Sequence, residues 1–155
     1  MRRAAVRGSL VVVALGLAFV LGGCRGKLIA TATLHAPGKA TTTFSASGRK
    51  LSLWADTDAK WKGPKSSKPM VAYEIDVKQG GTILGHVSCS TEDRGGTSVC
   101  GSVTNTFGTH NADCEIQLGC SLPPLPAGEI ELAVTGTTGA NVISITNLSL
   151  NVRAE

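Results

Sequence analysis

Apolar and polar residues alternate along much of this chain, most regularly over residues 70–78. The apolar positions are Val71, Tyr73, Ile75 and Val77, and the positions between them include Glu74, Asp76 and Lys78. A period of two predicts a β-strand with one face buried and the other in water.

Several other segments carry the β-branched and apolar residues that favour strands. They are 28–34, 40–46, 50–55, 82–89, 114–118, 129–134 and 142–152, with Val99 and Val103 on one more strand. Residues 25–39 could alternatively form a linker, although we favour the strand. Within 82–89, alternation places Ile83, Val87 and Cys89 on one face and Leu84, His86 and Ser88 on the other.

Glycine and polar residues between these segments predict turns. Residues 47–49 are expected to join 40–46 to 50–55 as a hairpin, and residues 92–96 to form a second hairpin turn. The remaining connections are a turn at 79–81, a loop at 108–113 and a proline-rich stretch at 123–126. Because proline is excluded from sheet interiors, we expect the last of these to cross between two sheets.

The parity of the last strand changes part-way along its length. Ile143 and Ile145 are odd-numbered, whereas Leu148 and Leu150 are even-numbered. A regular strand cannot direct both pairs to one face, so we predict an inserted residue, a β-bulge, near residues 146–147.

These segments amount to eight or nine short strands, and none of them has helical periodicity. Two antiparallel sheets packed face to face accommodate such a number of strands. We therefore predict an all-β fold, a β-sandwich that is jelly-roll-like or immunoglobulin-like. Residues 56–69 form the longest polar interruption and are predicted to be a surface loop.

The N-terminus follows a different pattern. Arg2, Arg3 and Arg7 precede twelve apolar or small residues, Leu10 to Leu21. A basic start, a short apolar run and small residues before a cleavage point are typical of a secretory signal peptide. The run is shorter than the about 20 residues that a spanning helix needs, so we expect residues 1–23 to be removed on export.

The apolar run ends in Leu21-Gly22-Gly23-Cys24, which is an aliphatic residue, two small residues and a cysteine. This sequence resembles the lipobox of bacterial lipoproteins. The resemblance implies that Cys24 carries a diacylglycerol thioether, that a signal peptidase cleaves before it, and that the new amine is acylated. An ordinary secretory signal and an uncleaved membrane anchor are the alternatives. The resemblance covers only the first 24 residues.

Arg25 follows the cysteine. In Gram-negative lipoproteins an aspartate at this position retains the protein in the inner membrane, so the resemblance implies that Arg25 permits transport to the outer membrane. Residues 24–27 would form the lipidated cysteine and a short tether, and residues 28–155 a single domain. Several acyl chains would make the membrane attachment effectively permanent.

The formal net charge of +4 overstates the charge of the expected mature protein. Arg2, Arg3 and Arg7 account for three of the fifteen basic residues, so twelve remain against eleven acidic ones. A nearly neutral domain gives no electrostatic reason to expect nucleic-acid binding.

Four cysteines follow Cys24, which in an exported chain predicts two disulfides. They are Cys89, Cys100, Cys114 and Cys120. We favour the pairs Cys89–Cys100 and Cys114–Cys120, because each closes a short loop. A four-cysteine zinc site is the alternative, but no C-x₂-C spacing supports it.

Few residues suggest catalysis. The three histidines, His35, His86 and His110, have no metal-ligand spacing, and no G-x-S-x-G motif provides a nucleophile. A group of His110, Asn111 and Asp113 could bind a metal or form a polar turn, and Asp56 with Asp58 could bind calcium or lie in a solvated turn. We favour the polar turns, and we expect no enzymatic activity, no cofactor and no metal.

Trp61 lies between Lys60 and Lys62 in the polar stretch, with Lys65 and Lys68 beyond. An exposed tryptophan here could stack on a sugar or contact a membrane, and the lysines could contact anionic headgroups. Alternatively, Trp61 packs into the core, as we expect for Trp54, and the lysines are solvated.

These observations favour a non-enzymatic, lipid-anchored cell-envelope protein whose β-sandwich is a binding or assembly module. Its expected partners are the membrane, through acylated Cys24, and another envelope protein. The alternative is a carbohydrate- or peptidoglycan-binding module that uses residues 56–69, with Trp61, Lys60 and Lys62 as weak ligand-binding candidates.

Overall fold

The computed structural model describes residues 25–35, 37–101 and 103–155, and only the backbone of residues 94–96. The signal segment and Cys24 lie outside this part of the chain. The described residues form ten strands: β1 (Lys27–Leu34), β2 (Gly38–Ala46), β3 (Leu51–Lys62), β4 (Val71–Gln79), β5 (Thr82–Ser90), β6 (Arg94–Cys100), β7 (Thr104–Thr106), β8 (Thr109–Leu118), β9 (Gly128–Thr138) and β10 (Val142–Ala154). No helix among the described residues is long and apolar enough to cross a membrane.

The strands form two antiparallel sheets. Sheet A has the order β1-β10-β3-β8-β6, with β7 paired to β8, and sheet B has the order β2-β9-β4-β5. When β6 and β7 are set aside, the other eight strands follow the order 1-8-3-6 in one sheet and 2-7-4-5 in the other. This is the strand order of a jelly roll. The predicted two-sheet antiparallel sandwich is therefore confirmed.

The inward faces of both sheets share one hydrophobic core. The predicted apolar face of β4 is confirmed, and β9 has a matching apolar face. The inward side chains of the two strands are at most 2% exposed; they are Val71, Tyr73, Ile75, Val77, Ile130, Leu132 and Val134. Gly136 continues the inward face of β9. A Cβ there would lie 2.8 Å from Cδ2 of Leu34 and 3.1 Å from Cδ2 of Leu148, so glycine makes room for two leucines of sheet A.

Bulges set which side chains face the core at the sheet ends. The register of β10 shifts between Ile145 and Asn147, so the predicted bulge is confirmed. A second shift, between Val142 and Ser144, leaves Ile143 48% exposed. The expectation that Ile143 faces inward is therefore wrong, because the second inserted residue reverses its side.

A third bulge lies in β5. Val77 pairs with Gly85, but the next residue of β4, Lys78, pairs with Ile83. Ile83 is consequently 61% exposed, while Leu84 packs against the core. Ile83 therefore does not share the face of Cys89, nor Leu84 that of His86, so these two placements were wrong. The placement of Cys89 and His86 on opposite faces is confirmed.

Two predicted hairpins are wrong. Strands β2 and β3 lie in different sheets, as do β5 and β6. Residues 47–50 and 91–93 therefore carry the chain from one sheet to the other. A short polar turn between two amphipathic strands suits either a hairpin or a sandwich crossing, so the local sequence does not distinguish them. Residues 119–127 also pass between the sheets, as the prolines predicted.

Several strand bounds differ from the predictions. Strand β1 confirms a strand over 28–34 and excludes a linker there. Strand β3 continues to Lys62, so residues 56–62 are strand and the connection to sheet B is 63–70. The predicted loop at 108–113 is largely the start of β8, which forms a hairpin with β7.

Both disulfides form, with a pairing that differs from the one we favoured. Cys89 is bonded to Cys120, with 5.6 Å between their Cα atoms, and Cys100 to Cys114, with 4.0 Å. Cys100 lies directly opposite Cys114 in the β6–β8 ladder. Since the sulfurs are bonded to one another, the alternative of a four-cysteine zinc site is also wrong.

The long strands give the sandwich two distinct ends. Strand β3 has twelve residues, which span roughly 36 Å at a rise of about 3.3 Å per residue. At the proximal end, Leu51 pairs with Ala154, which pairs with Lys27. At the distal end, Lys62 pairs with Thr109 and Trp61 with Val142.

Candidate functional site

The distal end carries the most exposed apolar side chain of the described chain. Phe107 is fully exposed, at 103% of its reference area, in the two-residue connection between β7 and β8. Phe107 has φ +51° and Gly108 has φ +74°, which are left-handed values that suit a type I′ hairpin turn. Among the described non-glycine residues, Phe107 alone has a positive φ. For a bulky residue this conformation is an outlier.

A buried network supports this turn from below. The Gly63 amide donates to the Gly108 carbonyl at 3.0 Å, and Nε2 of His110 donates to the Gly63 carbonyl at 2.9 Å. The His110 ring stacks on Trp61 with 5.3 Å between centroids. Trp61 Nε1 donates to the Ser67 carbonyl at 3.2 Å and to Ser67 Oγ at 3.1 Å. The turn is thus tied to β3 and to the 63–70 connection.

Trp61 itself is buried, with 1% of its area exposed. The expectation that it offers an exposed ring for sugar stacking is therefore wrong, and the alternative of core packing is correct. Lys60 and Lys62 point the other way and are exposed. Strand alternation explains the division, because residue 61 faces the other sheet while 60 and 62 face water.

Three lysines lie on β3 and the 63–70 connection, the two segments to which the turn is tied. Lys60, Lys62 and Lys65 are exposed, and none of them forms an ion pair within the described residues. A shallow depression of about 380 Å³ lies beside them, lined by Lys60, Thr104, Thr106, Thr109, His110 and Asn111. The distal end therefore combines one protruding aromatic ring with unpaired positive charge.

The outer face of sheet B holds a second cluster. His86 Nδ1 lies 2.8 Å from Asp76 Oδ1, and Nε2 lies 2.7 Å from Glu74 Oε2. Ser88 Oγ donates to Glu74 Oε1 at 2.8 Å. Hydrogen bonds to Asp76 and then Glu74 raise the pKa of His86 above its usual 6.5. Hydrogen bonds from Ser88 and then His86 lower the pKa of Glu74.

This cluster lines a shallow depression of about 470 Å³ together with Lys39, Ala133 and Thr135. Both ring nitrogens of His86 are already bonded to carboxylates. No ring nitrogen is left to accept a proton from a substrate, so the geometry suits a cross-strand ionic network better than general base catalysis.

Trp54 lies on the outer face of sheet A, yet only 1% of its area is exposed. The Arg153 guanidinium lies over its ring at 5.7 Å and is 2.9 Å from Glu115. Arg25 forms an ion pair with the same carboxylate. Burial, and then the nearby Glu115 carboxylate, raise the pKa of Asp56. Trp54 is therefore buried as predicted, but beneath charged side chains rather than between the sheets.

The other candidate groups do not converge. His110 is buried, whereas Asn111 and Asp113 are exposed on the opposite face of β8. His35 is exposed next to β1, and Asp58 accepts a hydrogen bond from Thr146. Within the described ranges, no three or more His, Cys, Asp or Glu side chains are placed to hold a metal ion.

Sequence reasoning missed Phe107. Residues 104–110 are Thr-Asn-Thr-Phe-Gly-Thr-His. A single residue, Phe107, separates Gly108 from the threonine-containing stretch 104–106. A glycine between two such stretches is a signal for a tight hairpin, and an aromatic residue in that turn must be exposed. The prediction of a loop at 108–113 separates Gly108 from the strand before it and so misses this signal.

The chain matches no protein-family model. The search of curated proteins likewise gives no significant match.

Proposed function

We propose that this protein is a lipid-anchored, non-enzymatic component of a bacterial cell envelope that displays its jelly roll as a binding or assembly module. Acylated Cys24 would hold it in the outer membrane, because Arg25 rather than aspartate follows the cysteine. The nearly neutral charge argues against nucleic acid as a partner.

The proximal end carries this proposal, because the domain begins directly after Cys24. The Arg25 guanidinium is paired with Glu115. Gly26 has φ +69°, and a Cβ on it would lie 2.4 Å from the Ala154 carbonyl oxygen. Such tight contacts leave almost no free tether. A lipid on Cys24 would therefore place the proximal end at the bilayer and turn the distal end away from it.

Two observations support a role other than catalysis. His86, the histidine with carboxylate neighbours, has both ring nitrogens occupied, and His110 is 1% exposed. The carbohydrate alternative loses its main support, because Trp61 is buried. Lys60 and Lys62 remain exposed but have no aromatic platform beside them on β3.

Detergent phase separation and mass spectrometry of the N-terminal peptide would test the proposal in a Gram-negative host. We expect the wild-type protein in the detergent phase, with Cys24 as its first residue, carrying a diacylglycerol thioether and an acylated amine. Cys24→Ala should abolish the modification. Arg25→Asp should keep the lipid but move the protein to the inner membrane. An unmodified Cys24, or cleavage at another residue, would show that the anchor is wrong.

A further inference from the structure

We propose that the distal tip, defined as Phe107 with Lys60, Lys62 and Lys65, docks onto another envelope protein. In this interaction the Phe107 ring enters an apolar pocket with an acidic rim. The proposal relies on the lipid anchor only for orientation, since the tip is a feature of the domain itself.

The conformation of Phe107 is the first argument. Type I′ turns favour Asn or Gly at this position because both central residues need positive φ. A bulky side chain in that region is strained. Phe107 is also fully exposed, so no contact within the described domain buries the ring. Contact with another molecule would bury the ring.

The rigidity of the support is the second argument. Trp61, His110 and Gly63 fix the turn through the stacking and hydrogen bonds described above. An aromatic side chain on a fixed turn loses little conformational freedom when it binds, which favours affinity. Aromatic residues at the centre of an interface commonly contribute the most to binding.

Charge and position favour a protein over a lipid surface. Lys60 and Lys62 lie opposite Asn111 and Thr109, on the strand beside the hairpin, and Lys65 follows in the 63–70 connection. None of the three forms an ion pair within the described structure, so an acidic rim would complement them. One ring inserts too little apolar area for stable membrane binding. Moreover, β3 separates the tip from the proximal end by roughly 36 Å, which directs it away from the membrane that would hold Cys24.

Site-specific photo-crosslinking of the full-length lipoprotein in cells tests the proposal. A photoreactive phenylalanine analogue replaces Phe107 or, as a matched control, Ile83, which is 61% exposed on edge strand β5. We expect a discrete protein adduct from position 107 that is absent from position 83. The attached peptide of the partner should contain acidic residues. Adducts to lipid or glycan alone, or no adduct, would overturn the proposal.

Variants then separate docking from folding. Phe107→Asn fits the turn better, so its melting temperature should equal or exceed that of the wild type, by up to about 3 °C. Recovery of the crosslinked partner in pull-downs should nevertheless fall at least about tenfold. Ile83→Asn should leave recovery unchanged, whereas Lys60→Glu with Lys62→Glu should lower it. Full recovery with Phe107→Asn would refute the docking role.

A failed anchor is distinguishable from a failed tip. If Cys24 proves unmodified while position 107 still gives the adduct, only the orientation is wrong. If Cys24 is lipidated but position 107 captures no protein, the tip proposal fails and the anchor stands.

Discussion

At the scale of single residues, the neighbours of Trp61 show how much of the site was readable from the sequence. Lys60-Trp61-Lys62 suggested an exposed polar loop when residues 56–69 were taken together. The same three residues alternate as a strand does, and β3 extends through Lys62. The exposure of the lysines could therefore be predicted from the sequence. The burial of Trp61 could not, because it depends on the facing sheet, which no local pattern reveals.

We predict that Trp61→Phe lowers the free energy of unfolding by about 2 kcal/mol. The change removes the Nε1 hydrogen bonds to Ser67 and leaves a small void beside His110. Denaturant titration should show a lower midpoint with an unchanged slope. Lys62→Ala is the matched surface control, and it should alter stability by less than about 0.5 kcal/mol. An unchanged denaturation midpoint for Trp61→Phe would contradict the contacts of Trp61 with His110 and Ser67.

We also predict that His86 makes stability depend on pH. The pKa of His86 is raised by Asp76 and Glu74, so its stabilisation is fully present below the unfolded value of about 6.5. That stabilisation is lost as the pH rises through the higher folded-state pKa. For Glu74, whose pKa is lowered, stabilisation is present above the unfolded value and lost as the pH falls through the folded one.

The measurement is the melting temperature across about pH 5 to pH 9, compared with His86→Gln. The melting temperature of the wild type should exceed that of His86→Gln at acidic pH, and this difference should shrink towards alkaline pH. His35→Gln is the control, since His35 forms no ion pair within the described residues, and its curve should parallel that of the wild type. An NMR titration of His86 at or below 6.5 would contradict the assignment.

At the scale of elements, period-two patterns predicted the strands and the bulge near residue 146, because the alternation of apolar and polar residues within a strand shows which of its faces is buried. Partner strands were not predictable in the same way. Residues 47–50 and 91–93 resemble hairpin turns locally but join different sheets. The favoured disulfide pairing was wrong for a related reason: it ranked the pairs by short loop closure, whereas the register of β6 and β8 places Cys100 opposite Cys114.

We predict that non-reducing peptide mapping finds Cys89 linked to Cys120 and Cys100 linked to Cys114. The sequence separations are 31 and 14 residues, so the chain-entropy model assigns about 3.7 and about 3 kcal/mol to the two bonds. Paired alanine variants should lose stability in that order. A peptide joining Cys89 to Cys100 would contradict the register of β6 and β8, which places Cys100 directly opposite Cys114.

At the scale of the whole molecule, the jelly roll separates an end that lies next to Cys24, the proposed lipid attachment site, from an end that presents Phe107. This polarity depends on the long strands of sheet A, since β1, β3 and β10 all reach the proximal end. A domain with a longer linker could lie in any orientation. Here the contacts of Arg25 and Gly26 would restrict rotation about the proposed anchor at Cys24.

We therefore predict that the lipidated protein, reconstituted in vesicles, contacts lipid through its proximal end only. Leu28 is 46% exposed at that end, and a photoreactive residue in its place should form adducts with phospholipid. The same residue at position 107 should give at least about tenfold fewer lipid adducts, because roughly 36 Å of strand separates the two ends. Insertion of a flexible Gly/Ser segment between Cys24 and Arg25 should reduce labelling at Leu28, since the domain could then leave the surface. Equal lipid labelling at both positions would mean that the sandwich lies flat on the membrane, and the tip would then face lipid rather than a protein partner.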